Sequence, residues 1–274
     1  MADFSTKPKT AIFTMYENII YESSDNLATI TLNRPYVYNA LSSALIKEIT
    51  QAVAIASSNE AIRVIVLTGS GDKAFCSGAD LKAGMDAGFT SLGESLRENY
   101  NPMIRAIRNA EKPVVCRMNG IAAGAGMSLA LACDLVIANE DAYMSELFVG
   151  IGLMPDAGSM FFLPRIVGMQ KAFEICSTGR KIYMDEALTL GLVSKAVAYQ
   201  ALDEAVNELT NYYKTAPTKA IGAMKKVLNQ SFNSTVEDIL EHESNNQEML
   251  GKTHDFGEGV MAFLQKRTPT FKGK

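Results

Sequence analysis

The run Met127 to Cys133 carries no charge and starts directly after Gly124-Ala125-Gly126. A helix built from it has almost no polar face, so it has to lie inside a large core. The first amides of such a helix have no partner within it and point out of its start. If that start opens on a cavity, it attracts negative charge. The same stretch, Asn119 to Gly158, also holds Asp156, after Pro155 in a loop closed by Gly158, where a short acidic side chain can be aimed into the same cavity. An aspartate between proline and glycine is more often a turn or cap residue, so only its surroundings decide between the two roles.

The chain is long enough to supply that core. It has 274 residues, 47% of them hydrophobic, enough for one large core with or without a smaller appended unit. A formal charge of −4 argues against a protein that wraps phosphate backbones, so no nucleic-acid partner is expected. Cys76, Cys116, Cys133 and Cys176 are far apart and show neither a disulfide framework nor zinc spacing. The two histidines, His242 and His254, both fall in the polar C-terminal quarter, so a Ser-His-Asp triad or a histidine-rich metal site is poorly supplied and no metal is expected. The first residues lack the apolar core of a signal peptide, and no stretch is long enough to span a bilayer. A reducing, cytoplasmic setting without a membrane partner is the expectation.

Residues 1–15 read as a loose extension. Tyr16 to Tyr21 and Leu27 to Leu32 form a hairpin around a Ser23-Ser24-Asp25-Asn26 turn, and Ser42 to Ser57 a helix with Leu41, Leu45, Ile49, Ala52, Val53 and Ala56 on its core stripe. Val64 to Leu67 is a continuous apolar run of the kind covered on both faces of a parallel sheet. Ala74 to Lys82 follows, where Gly78 allows a turn that points neighbouring amides outward and Lys82 can meet an anion. Residues 83–100 are the least patterned internal segment and a candidate lid. Helical spacing resumes over Asn101 to Ala110, and Val114 to Arg117 and Leu135 to Ala138 are further strands. From Lys171 onward strand signals fade into helices at 171–178, 184–190, 202–214, 217–230, 236–250 and 256–266. The expectation is an α/β core over 16–200 followed by a helical part, 201–274, whose spare apolar faces suit an oligomer interface.

Several short motifs occur in a fixed order: Asn33-Arg34-Pro35 with Asn39-Ala40-Leu41, then Ala74-Phe75-Cys76-Ser77-Gly78-Ala79-Asp80-Leu81, then Asn119-Gly120, Gly124-Ala125-Gly126 and Cys133-Asp134. Gly152-Leu153-Met154-Pro155, Leu163-Pro164-Arg165, Gly191-Leu192-Val193 and Phe263-Leu264-Gln265-Lys266-Arg267 complete the series. Together they resemble the crotonase, or enoyl-CoA hydratase/isomerase, superfamily from about Tyr16 to Lys272. The resemblance implies a spiral of ββα units with a C-terminal helical trimerisation region, assembled as a homotrimer or a hexamer. It also implies an acyl coenzyme A thioester as substrate, with no permanently bound cofactor. By the same resemblance the thioester carbonyl lies between the backbone amides of Ala79 and Ala125, an arrangement suited to an enolate oxyanion. Ser77 and Leu81 would meet the adenine and Lys82 the phosphates, and Phe263 and Lys266 would reach the nucleotide, often from a neighbouring subunit.

Hydratases of the superfamily use two glutamates, and their positions fall here on Ser128 and Phe148, neither of which takes a proton at neutral pH. Glu146 lies two residues from the second position. Asp156 instead occupies the place of the single catalytic carboxylate of the family's isomerases, which moves a proton from C2 to C4 of a 3-enoyl thioester. The closest resemblance is to the 1,2-epoxyphenylacetyl-CoA isomerase-like branch. The apolar neighbours Phe148, Leu153, Met154, Phe161 and Phe162 are expected to desolvate Asp156 and raise its pKa. Three alternatives remain open: a hydratase with an atypical site, a hydrolase or dehalogenase that uses Asp156 as nucleophile but lacks a pocket histidine, and a non-catalytic acyl-CoA binder.

Overall fold

The structure, a computed structural model, describes residues 16–86 and 91–274, with no account of the side chains of 84–86. The expected N-terminal extension and residues 87–90 of the expected lid lie outside the described residues.

The chain opens on a hairpin, β1 (Ile19–Ser24) and β2 (Leu27–Leu32). The four-residue turn expected at Ser23 to Asn26 is tighter than that. Strand pairing continues through Ser24 and Leu27, and only Asp25 and Asn26 turn, both with positive φ, a backbone state that Asn and Asp tolerate better than other side chains. Helix α1 (Ser43–Ser58) follows, its start capped by the Ser42 hydroxyl accepting from the Leu45 amide.

Next comes a repeated unit. β3 (Val64–Gly69) is followed by β4 (Ala74–Cys76) and the helix α2 (Leu81–Asp86). The chain then runs through α3 (Leu92–Ser95), a π turn at Leu96–Tyr100 and α4 (Asn101–Asn109). The second unit is β5 (Val114–Met118), β6 (Ile121–Ala123) and α5 (Ala125–Ala132). The third is β7 (Leu135–Asn139), β8 (Tyr143–Ser145) and α6 (Ser159–Val167). The first strand of each unit joins one sheet and the second joins another. The larger sheet therefore has the order β1-β2-β3-β5-β7-β10 and the smaller the order β4-β6-β8-β9, with neighbouring repeats parallel in both. This is the expected ββα spiral. Two further strands, β9 (Ile182–Tyr183) and β10 (Lys195–Val197), close the two sheets on either side of α8 (Met184–Thr189), which follows α7 (Met169–Thr178).

β3 shows why its sequence is apolar without alternation. Ile65 and Leu67 face the main core, whereas Val64 and Val66 face a second cluster formed with Val115, Ile137 and Leu202. That second face is covered by α9 (Leu202–Thr215), the first of the C-terminal helices, which continue as α10 (Thr218–Gln230), α11 (Val236–Leu250) and α12 (His254–Gln265). These helices leave large apolar side chains in the open, among them Leu228, Leu240, Phe256 and Phe263. Among the described residues no helix is long and apolar enough to cross a membrane.

The segment expected to be unpatterned is helical at Leu92–Tyr100. The second sheet was absent from the sequence reading, because strands of two or three residues have no period to detect.

Helix α5 is the centre of the packing: each of its residues is buried. Its Gly126 touches β4 so closely that an added Cβ would lie 2.1 Å from the Cys76 carbonyl oxygen. Backbone, not a flexible side chain, opposes the methyl. Gly126→Ala is therefore expected to lose roughly 3 kcal/mol of stability through overpacking. Chemical denaturation reads this directly, and an unchanged midpoint would mean that the two elements part more readily than their contact implies.

Candidate active site

Two backbone turns meet at the start of α5. After β4 the chain passes Gly78, whose φ of 99° places it where glycine is favoured and whose missing Cβ leaves room for the Ala123 carbonyl at 2.7 Å and the Ala125 amide nitrogen at 3.4 Å. Beyond it, Ala79 is bracketed by hydrogen bonds to Leu41: the Leu41 amide donates to the Gly78 carbonyl at 2.7 Å, and the Asp80 amide donates to the Leu41 carbonyl at 3.1 Å. Neither bond uses the Ala79 amide. Ala125 is the first residue of α5, so its amide has no partner in the helix. Among the described residues neither the Ala79 nor the Ala125 amide donates a hydrogen bond to protein. Two amides without a protein partner are thus carried by neighbouring turns.

The turn at Ala79 is held from below. Arg34 pairs with Asp80 at 2.8 Å, with both side chains nearly buried, and donates to the Ala40 carbonyl at 2.7 Å. The Asn39 carboxamide accepts from the Arg34 amide and donates to the carbonyls of Ser70 and Ala74. Asn119 does the same from the other side, accepting from the Gly69 amide and donating to the carbonyls of Gly71 and Ala74.

Asp156 and Ala79 both line a cavity of about 670 Å³, within the range of small-molecule sites. The Asp156 backbone is fixed by two bonds to its carbonyl, from the Ser128 hydroxyl at 2.9 Å and the Ser159 amide at 3.0 Å. Ala157 and Gly158 both take positive φ, which reverses the chain into α6. The Asp156 Oδ1 atom is buried and has no hydrogen-bond partner. Burial raises its pKa to about 6. Tyr100, buried in the same wall, has its phenol pushed up by burial and then by the charge of Asp156.

A second carboxyl lies behind the loop. Glu146 is fully buried and accepts a short hydrogen bond from the Ser159 hydroxyl, but it is not part of the cavity lining. Burial lifts its pKa to about 8, and the charge of Asp156 adds to the shift, so it is mostly protonated at neutral pH.

Of the residues singled out in the sequence, Ala79, Leu81 and Asp156 line the cavity; Ala125 does not, and its amide nitrogen lies behind them against Gly78. Ser77 is half-buried nearby with its hydroxyl toward the Val37 carbonyl, and Lys82 is exposed on α2. Phe263 and Lys266 stand apart: both are exposed at the end of α12, and neither lines this cavity within the single chain. Phe148, Leu153 and Met154 line the cavity as expected, but Phe161 and Phe162 do not. The Arg34–Asp80 pair and the polar residues of the π turn, Asn99 and Tyr100, were missed by sequence reasoning. Arg34 and Asp80 were visible only as motif letters, and the π turn leaves no periodic trace. Among the described residues no cluster of His, Cys, Asp or Glu is suited to a metal ion.

A family profile described as enoyl-CoA hydratase/isomerase matches residues 22–274. A protein of Rhodobacter capsulatus named "Probable enoyl-CoA hydratase" is 43% identical over 94% of this chain and 99% of its own. The 1,2-epoxyphenylacetyl-CoA isomerase of Escherichia coli is 34% identical over 95% of this chain and 100% of its own. Among solved structures, an enoyl-CoA hydratase from Bacillus anthracis superposes with a TM-score of 0.87 at 33% identity, covering 94% of this chain and 100% of that one. The chain belongs to the enoyl-CoA hydratase/isomerase family.

The raised pKa of Asp156 carries a stability cost with a definite sign. Its folded value, about 6, exceeds the ordinary 3.8, so between those values the folded state binds more protons than the unfolded one. Stability contributed at this site falls as pH rises through that window and then stays level. Asp156→Asn, which has no charge to bury, is expected to be more stable than the parent by about 1–2 kcal/mol at pH 7, after allowance for partial exposure. Denaturant unfolding should show that gap narrowing as pH falls from 7 to 5, and equal stabilities throughout would contradict the burial of the carboxylate.

Proposed function

We propose that this enzyme of the enoyl-CoA hydratase/isomerase family is an acyl-CoA double-bond isomerase, converting 3-enoyl to 2-enoyl thioesters and accepting ring-bearing substrates of the epoxyphenylacetyl type. One observation carries the reading. Of the carboxylates around the cavity, Asp80 is ion-paired, Glu94 and Glu98 are exposed, and Asp156 alone combines burial, a raised pKa and an oxygen without a partner.

In this reading the thioester carbonyl oxygen sits between the amides of Ala79 and Ala125. The Asp156 carboxylate removes a proton from C2, and the electron pair of that C–H bond moves into the dienolate, whose oxyanion the two amides hold. The carbonyl then reforms, the double bond shifts to the 2,3 position, and the same carboxyl returns the proton to C4. No water or redox partner is consumed. One donor of this kind is worth on the order of 3 kcal/mol in comparable sites. The proposed nucleotide contacts are Ser77, Leu81 and Lys82 from the same chain. Phe263 and Lys266 would come from a neighbouring copy in a homotrimer or hexamer, which also accounts for the exposed apolar faces of α10, α11 and α12.

Hydration is the second reading, supported by the name of the Rhodobacter capsulatus relative. Against it stand Ser128 and Phe148 at the two hydratase positions, and the enclosure of Glu146 behind the loop. Ultraviolet absorbance separates the two: isomerisation of a 3-enoyl thioester raises the signal of the conjugated product, and hydration of a 2-enoyl thioester removes it.

Asp156→Asn is expected to lower kcat for 3-enoyl-CoA by about 10³-fold or more, with thioester affinity retained. In the parent, kcat/KM should rise with pH through about 6 and then level off, because the base works ionised. Retained turnover in the variant would remove Asp156 from the mechanism.

A further inference from the structure

Among the described residues, the buried side-chain atoms without a hydrogen-bond partner are Tyr16 Oη, Asn99 Oδ1, Glu146 Oε2, Asp156 Oδ1 and Arg165 Nε. Only two of these, on Asn99 and Asp156, belong to residues that line the active-site cavity. The proposed base accounts for the second. Nothing in double-bond migration uses the first.

Asn99 is 9% exposed and sits in the π turn, where the Asn101 amide reaches back five residues to the Leu96 carbonyl. Such widened turns recur at functional sites because the extra residue re-aims its neighbours. Here Asn99 and Tyr100 are consecutive, both buried and both part of the cavity wall. Around them the wall is mixed, with apolar side chains such as Leu41, Phe148 and Met160 beside polar ones such as Ser42, Ser95 and Asn101. A carboxamide oxygen left without a partner in such a wall is costly, and folding alone gives no reason to keep it there. A few placed polar groups in a cavity wall are how small-molecule sites fix orientation and choose between ligands. The carboxamide offers both an acceptor and donors, so it can pair with a hydroxyl, a carbonyl or a ring oxygen.

We propose that Asn99 is a specificity residue that hydrogen-bonds an oxygen substituent on the acyl group, so that the cavity favours oxygen-bearing acyl thioesters over plain hydrocarbon ones. This rests on the reading of the cavity as an acyl-CoA site and deepens it. A hydrocarbon chain leaves the Asn99 oxygen buried and unpaired, whereas an oxygenated chain satisfies it. Discrimination arises from the penalty on the wrong ligand as well as the bond to the right one.

Saturated thioesters test this without turnover, since they have no double bond to move. Binding of hexanoyl-CoA is compared with that of 4-, 5- and 6-hydroxyhexanoyl-CoA by isothermal titration calorimetry on the full chain. At least one hydroxylated isomer is expected to bind about ten-fold more tightly than hexanoyl-CoA. Asn99→Leu, of similar size, should abolish that preference and leave hexanoyl-CoA binding unchanged or tighter. Asn99→Ser, which keeps a smaller polar group, should retain part of it and guards against a leucine variant that does not fold. Three results overturn the proposal: no preference in the parent, a preference that survives in Asn99→Leu, or equal weakening of all four ligands, which would place the contact on the carrier arm. If no thioester binds at all, the acyl-CoA reading fails; if all bind without discrimination, only the role of Asn99 fails.

Discussion

The structure depends on burying the start of a helix that has no polar face. α5 runs through the middle of the molecule, and wherever such a helix begins, its first amides need a partner or a ligand. The neighbouring turn at Gly78 does not fill that need. It approaches closely enough to bring its own free amide, that of Ala79, alongside. Burial that would ordinarily be a defect thus leaves the Ala125 amide without a protein partner beside the turn that carries the free Ala79 amide. Gly126 is part of the same solution. Without a side chain there, α5 can touch β4, and the two turns fall within reach of each other.

Keeping those two turns in place requires a rigid support, which the polar motif residues provide. Asn39 and Asn119 both donate to the Ala74 carbonyl, from opposite sides, while each also holds a second loop. Arg34 clamps the far side of the Ala79 turn through Asp80. A charged pair so well enclosed gains little for overall stability, because desolvation offsets its attraction. Its value lies in fixing where the turn sits. The same logic holds across the cavity, where Ser128 and Ser159 both bind the backbone carbonyl of Asp156 and leave its carboxyl group free.

How much of this was legible depended on the scale of each signal. α1, α5, β3, β5 and β7 are long enough for period or apolar run to declare them, whereas Asp156, whose place between Pro155 and Gly158 reads first as a turn, was singled out by the ordered motifs around it. The smaller sheet was invisible because its strands are too short for any pattern, although it packs against α5 through β4 and β6. The side-chain roles of Arg34 and Asn119 were recoverable only as members of an ordered set of motifs, since each acts on backbone far away in sequence. Asn99 could not have been found at all. In the sequence it is one polar residue among several between Glu94 and Asn101, and only the π turn puts it in the cavity wall.

In the proposed isomerase reading, Ser128 and Phe148 stand where hydratases would carry acids, and this has an electrostatic consequence. Two carboxyls facing one small cavity cannot both ionise cheaply, so one would be held neutral near pH 7. Here a second carboxyl, that of Glu146, lies behind the loop, where burial and the nearby charge of Asp156 raise its pKa to about 8. Asp156, at about 6, loses its proton first, and Glu146 then has to ionise against it. Over the neutral range the pair therefore carries mainly one negative charge, on the residue that faces the cavity. The Ser159 hydroxyl bridges the two sites, donating to Glu146 while its amide holds the Asp156 carbonyl. An acid retained in the protein but kept neutral and out of reach of the ligand suits a site that needs one base, and it fits poorly with one that must also deliver water.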